Sequence, residues 1–437
     1  MNEMSKAYKL PMKVIQIYLF TTIILYVFGP WQWKDLNMAL TVGLLLSYQT
    51  ALYLGYRYSS IGYMKRKTRT VYFSKHALQM IILLGFAVTL LQCIRTIGSV
   101  NISSILKQVL QGLTDAASQY RASKEVTNKF GGAAATYFIV LTAPITWMAI
   151  PLSIRHFKEL NMLFRVIAIA NIFLEVSRWL AIGTNKGIID ILIIAVCMIY
   201  LNSIAKCIKK RSNLNKSKTH ILIIGVVLTV IGLYIFENNV GSRINSNWRN
   251  YEITNGNTPI NYDSLLMQLL PPGLSTILIL VASYLTQGYY AFSLCRSVEW
   301  IPMFGTGNSM FIIENIRDLF GFSLYDYTYQ TRIACFNWDP FVNWHSFYVW
   351  LANDFSIIGV IFVMFILGYL FCQVVQDAII KGDDLAIVLF CLFAIMFIYL
   401  PANNQILSYP TTFMAFWVIL IIWKITRKYK LRIGSKV

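Results

Sequence analysis

Two stretches of this chain carry ionisable residues where an apolar sequence would be expected to exclude them. The first reads Glu175-Val-Ser-Arg178-Trp-Leu-Ala-Ile-Gly183-Thr-Asn-Lys186-Gly187-Ile-Ile-Asp190. Glu175 and Arg178 are three residues apart, so a helix puts them on one face. Asp190 falls one turn into the helix that returns after the short Gly-Thr-Asn-Lys-Gly turn. Charges inside an apolar span are costly and face a cavity or one another. Two readings follow. Either the charges form a buried ion-pair network that locks the hairpin, or Arg178 and Lys186 form a cationic pocket for a diphosphate. Arginine suits the second role because its planar fork grips phosphate oxygens in pairs, and nearby helix starts add exposed amides.

The second stretch reads Asn343-Trp-His345-Ser-Phe-Tyr348-Val-Trp350-Leu-Ala-Asn353-Asp354-Phe-Ser-Ile-Ile-Gly359. It leads from a polar segment straight into an apolar run. His345 and Asp354 stand at that boundary, where a histidine near neutral pH or a carboxylate with a tuned pKa can accept a proton. The alternative is structural: His345 bonds a backbone carbonyl and Asp354 caps the following helix. Between the two stretches lie Arg243, Arg249, Arg296, Arg317 and Arg332, with Glu252, Asp263, Glu299, Glu314 and Asp318 among them. Aromatic residues are dense from Phe320 to Trp350. Aromatic faces beside polar groups bind sugars and also sit at membrane interfaces. Gly305-Thr-Gly307-Asn-Ser309 lacks the Gly-Lys-Ser/Thr of a nucleotide loop and reads as a tight turn. No Asp-x-Asp pair occurs in this region, and Asp383-Asp384 fall in another loop, so neither metal nor cofactor is expected.

The elements that must position these residues are apolar spans. Of 437 residues, 57% are hydrophobic and only 13% charged, against about a quarter charged in soluble domains. Stretches long enough to cross about 30 Å of hydrocarbon occur near 13–29, 36–56, 77–97, 133–153, 163–181, 187–205, 221–236, 356–375, 385–400 and 406–424. Backbone in lipid must be internally bonded, so these are helices. The expected fold is an all-α polytopic membrane protein of about 10–12 spans. About seven spans fill residues 1–236, a large loop follows at 237–355, and the last spans and a basic tail occupy 356–437. The first span lacks a small-residue cleavage site and reads as retained.

The net charge of +19 could suggest nucleic acid, but the basic residues cluster in short loops between spans. Lys65 to Lys75, Arg155 to Arg165, Lys206 to Lys218 and Lys424 to Lys436 fall on one side if the spans alternate. That side is the cytoplasm, which puts both termini inside and the loops near 98–132, 182–186 and 237–355 outside. Ile102, Ile105, Leu106, Val109, Leu110 and Leu113 follow helical spacing, and a helix on the outer surface is expected there. The apolar run 274–292 breaks the parity if it counts as one span. It is expected to be a re-entrant or interfacial helix, or one of a pair of extra spans. Cys295 and Cys335 share the outer segment, where a disulfide could join them.

The block from Trp344 to Phe355, with Gly359 and Gly368-Tyr369 after it and the Gly305–Ser309 turn before it, resembles the O-antigen and capsular oligosaccharide repeat-unit polymerases of the Wzy type. Arg178 to Gly187, an Arg at the outer end of a middle span followed by a Gly-bearing turn, is similar too. The likeness is detailed over about 270–370 and topological elsewhere. The Arg178–Gly187 gap departs from the spacing described for some members. The resemblance implies a metal-independent glycosyltransferase of the bacterial inner membrane, working on its external face without a nucleotide sugar. The growing chain on undecaprenyl diphosphate passes to a sugar hydroxyl of the next lipid-linked unit. Partners implied are those lipid-linked oligosaccharides, membrane lipid and a chain-length regulator protein, and no nucleic acid. Within that frame His345 and Asp354 are the catalytic candidates. Arg178, Lys186, Arg243, Arg249, Arg296, Arg332, Tyr348 and Asn353 are the candidates for binding diphosphate or glycan. A ligase that moves a finished glycan, and a non-enzymatic flippase, are the competing readings. A flippase would have short loops and charges along a central cavity.

Overall fold

The computed structural model describes residues 2–61, 69–130, 132–210, 248–269 and 271–428, with 225, 230, 232–234, 236 and 237 between them. The chain is helical, and the isolated bridge Trp31–Ile260 is its only β pairing among the described residues. The long helices are α1 (Asn2–Phe28), α2 (Met38–Ser60), α3 (Lys75–Ile97), α4 (Ile102–Thr114), α5 (Ala116–Phe130), α6 (Ala133–Arg155), α7 (Met162–Ala181) and α8 (Lys186–Lys210). After them come α9 (Trp248–Thr254), α10 (Pro272–Cys295), α11 (Met310–Phe320), α12 (Phe347–Gln376), α13 (Asp384–Tyr399) and α14 (Pro410–Lys428). Seven helical segments among the described residues are long and apolar enough to cross a membrane. Leu141, Ile358 and Phe362 are each about two-thirds exposed on the flanks of such helices. Water would not tolerate so many large apolar side chains in that position, and lipid does. This is an all-α polytopic membrane protein. The expected span at 221–236 lies mostly outside the described residues.

Contacts between helix ends divide the bundle into two faces. At one end, the Arg69 amide bonds to the Arg427 carbonyl at 3.3 Å and the Asp384 amide to the Val71 carbonyl at 3.0 Å. His156 meets Asp384 at 2.7 Å, Arg427 meets Asp377 at 2.7 Å, and the Tyr200 hydroxyl donates to the Ala7 carbonyl at 2.5 Å. The basic loops identified in the sequence therefore adjoin one another at this basic end. Asp383 and Asp384 are fully used there. The Asp383 carboxylate accepts from the Val71 and Ala386 amides, and Asp384 accepts from the Phe73 amide. Burial lifts Asp383 to about 6, against the pull of those two amides.

The opposite, far end carries the chemistry-bearing stretches and is roofed by α10. Its Ile279 carbonyl accepts from Trp31 Nε1 and its Thr286 hydroxyl from Trp33 Nε1, each at 2.9 Å. Tyr289 meets the Thr22 hydroxyl at 2.9 Å, and Arg296 closes the helix on Asp35 at 2.7 Å. These partners all lie within two turns of the far end, so α10 is seated across that end. It is a single helix, and Pro271 and Pro272 set its start without costing a hydrogen bond. α4 is helical as expected, yet it packs on α7 through Ile105 and Gly112, leaving Ile102, Leu106 and Leu110 on its outer side.

α2 and α12 share the longest interface in the bundle. A Cβ on Gly55 would stand 1.9 Å from the Phe365 carbonyl oxygen, and one on Gly368 would stand 2.0 Å from that of Leu52. Backbone meets backbone there. α12 itself bends at Ser356, whose φ of 62° and ψ of 165° leave the helical region. Such a conformation costs on the order of 1–3 kcal/mol and persists because its surroundings hold it.

Candidate functional site

The α7–α8 hairpin places its charges against a cavity of about 730 Å³ and lines its mouth, the part nearest the far end. Arg178 donates to Glu175 through Nε (3.1 Å) and Nη2 (2.6 Å), and Trp179 Nε1 donates to the same carboxylate at 2.8 Å. The Arg178 guanidinium also lies 4.3 Å from the Trp179 ring centroid. Trp179 reaches this position because Gly187 has no side chain: a Cβ there would stand 2.0 Å from the indole. Lys186 pairs with Asp190 at 3.2 Å, and its ammonium stands 4.8 Å from the Tyr409 ring centroid. The ion-pair network expected as one alternative is formed, and its residues line the cavity.

The cavity adds a third cation that the sequence reading passed over. Arg95, near the end of α3, bonds the Thr136 hydroxyl at 2.7 Å, and its buried Nε has no hydrogen-bond partner. Among the described residues it makes no ion pair. Nothing in the sequence separates it from any arginine ending a span. Asn171 Oδ1 and Thr184 Oγ1 are likewise buried and unpartnered on the cavity wall. Unsatisfied polar atoms of this kind are expensive unless something polar enters. From this mouth the wall continues along Ile139, Trp147, Ile150, Pro151, Ile191 and Ile194, toward the middle of the bundle. The mouth thus carries three cations against two carboxylates, and the wall below is apolar with Thr89, Thr146 and Asn171 set into it.

Arg178 and Lys186 are the sequence candidates that line this cavity; the other described candidates do not. His345 is 3% exposed, with a hydrogen bond to the backbone at Asn343 and no partner for Nε2. Burial pushes its imidazole down to about 3, so it is neutral at physiological pH. Asp354 accepts from the Gly305 and Gly307 amides at 2.8 and 2.9 Å and from Asn308 Nδ2 at 2.7 Å. Asn353 accepts from the Tyr329 amide and donates to the Gly307 carbonyl and Gln330. The two motifs behind the family resemblance are therefore one interlocked unit, the Asn-Asp pair clasping the Gly-rich turn.

Arg296 holds the α1–α2 connector through Asp35 and the Asn37 carbonyl. Arg332 donates to the Glu299 carbonyl, and Arg249 forms an exposed pair with Glu252 at 3.2 Å. Tyr348 is buried, its ring 4.8 Å from that of Tyr48. Arg243 lies outside the described residues. Cys295 and Cys335 are free thiols, each donating to a carbonyl in its own turn, Ala291 and Arg332. The disulfide considered from sequence is not formed. No group of His, Cys, Asp and Glu among the described residues could hold a metal ion. No protein-family model, curated protein or solved structure matches this chain.

Proposed function

We propose that this protein is a repeat-unit polymerase of the Wzy type in a bacterial inner membrane. It would join undecaprenyl-diphosphate-linked oligosaccharides on the external face, with both termini in the cytoplasm and a chain-length regulator as partner. The observation that carries this reading is the shape of the cavity chemistry. A lipid-linked glycan is an amphiphile with an anionic diphosphate between an apolar tail and a hydroxylated sugar. Arg95, Arg178 and Lys186 at the mouth match the diphosphate, and the apolar wall below matches the first isoprene units. Preorganised cations stabilise the charge that develops on a leaving diphosphate, and inside a low-dielectric wall they do so strongly. The confinement of these charges to one end, rather than along a central path, supports a transferase over a flippase.

Deleting the gene and resolving the surface polysaccharide on a gel tests this reading. A polymerase mutant leaves single-repeat glycan on the surface. Complete loss of surface glycan would point to a ligase or flippase, and an unchanged ladder would refute all three.

A further inference from the structure

We infer that Asp190 is the proton acceptor of the transfer, an assignment that rests on the polymerase reading. Among the described residues, two carboxylates line the cavity, Glu175 and Asp190. Glu175 is committed: three donors from Arg178 and Trp179 occupy it, so it serves as fixed counter-charge. Asp190 is held more lightly. Its Oδ2 faces Lys186 Nζ at 3.2 Å, its buried Oδ1 has no hydrogen-bond partner, and the nearby Tyr399 hydroxyl donates to the Lys186 carbonyl at 3.4 Å. Lys186 is one of the three mouth cations. A diphosphate entering there competes with Asp190 for the ammonium and frees the carboxylate to accept.

The placement suits the step. Lys186 and Asp190 are four residues apart on α8, one above the other on the same face. A diphosphate on Lys186 therefore lies within a side chain's length of Asp190. Thr184 Oγ1, in the turn beside Lys186, offers an unspent hydrogen bond to a sugar hydroxyl. The acceptor hydroxyl oxygen attacks the anomeric carbon of the donor and forms the new C–O bond. The C–O bond to the diphosphate breaks, and its electron pair leaves on the diphosphate oxygen, facing Arg95, Arg178 and Lys186. The hydroxyl proton passes to Asp190, which later releases it to water at the open mouth. His345 and Asp354 stand off this wall and have other work: one is buried and the other clasps the Gly305–Asn308 turn.

The test uses purified full-length protein in nanodiscs and single-repeat lipid-linked glycan extracted from a strain lacking the gene. Asp190→Asn should lower the polymerisation rate by about 10²–10⁴, while affinity for undecaprenyl diphosphate stays within a few-fold of wild type. Asp190→Glu should keep measurable turnover with a shifted acid limb in its pH–rate profile. A D190N rate within about tenfold of wild type, or a D190E acid limb that coincides with wild type, overturns the assignment of the base and leaves the polymerase reading standing. Wild-type protein that joins nothing overturns the polymerase reading itself. If D190N fails to insert, the D190E profile alone decides.

Discussion

Gly187→Ala probes the cationic mouth without touching any of its charges. The added methyl would lie 2.0 Å from Trp179 Nε1 and Cε2 and 2.2 Å from Cδ1, well inside contact distance, so the indole has to leave. Its departure forfeits a hydrogen bond to a charged group, worth about 1.5–3 kcal/mol, and a cation–π contact worth about 0.5–1 kcal/mol. Alanine returns about 1 kcal/mol through better helix propensity. The net loss is about 1–3 kcal/mol, centred on Arg178. If the mouth binds diphosphate through a fixed Arg178, that loss appears as an affinity for undecaprenyl diphosphate lower by about 5- to 150-fold. The assay is direct binding to purified protein in nanodiscs, with Gly43→Ala as control, because a Cβ at Gly43 meets nothing within 4 Å. Unchanged affinity in G187A, with indole fluorescence showing a displaced Trp179, would refute the idea that the Glu175–Arg178–Trp179 unit orients the site.

Three further outcomes are expected. Arg178→Lys should insert at normal levels yet lose most polymer in cells, since an ammonium cannot reproduce the two-pronged contact; equal activity of the two would reduce the site to generic charge. Asp354→Asn sets an amide NH₂ against one of the turn's donors, so the melting temperature of the purified protein should fall, by an amount reflecting about 1–3 kcal/mol. A normally melting D354N with no turnover would give Asp354 a chemical role instead. Burial disfavours the charged form of His156, but the hydrogen bond and charge of Asp384, with Glu159, outweigh it and raise its pKa. Its contribution is therefore complete below the ordinary imidazole value and fades as pH rises through the elevated one. His156→Ala should lower thermal stability markedly near pH 6 and much less near pH 9, and a gap that ignores pH would contradict this.

The helices were legible because their signal is long and cumulative. Twenty apolar residues in a row state a span, and Lys65 to Lys75 or Lys424 to Lys436 mark ends without any knowledge of packing. The Glu175–Arg178 pair was legible for a related reason, since charges three apart in an apolar run stand out. What escaped depends on distant partners. Arg95 gains its meaning from Arg178 and Lys186, which lie more than eighty residues away. Asp354 looks like a free carboxylate until the Gly305 and Gly307 amides fold over it. The orientation of α10 depends on two tryptophans from the α1–α2 connector, and its hydropathy is that of a spanning helix. No local pattern at Ser356 announces its positive φ.

The close seam between α2 and α12 has a consequence for which helices can part. Gly55 and Gly368 bring carbonyls against Cα atoms, the ring pairs Tyr48–Tyr348 and Tyr56–Phe371 pack on either side of that contact, and separating the pair would open a void along its length. It behaves as a keel. The cavity is walled instead by α3, α6, α7 and α8, where Pro144 and Pro151 interrupt the hydrogen-bond ladder of α6. That flank, not the keel, is where helices can part, and the keel carries the Asn353–Asp354 clasp at the start of α12.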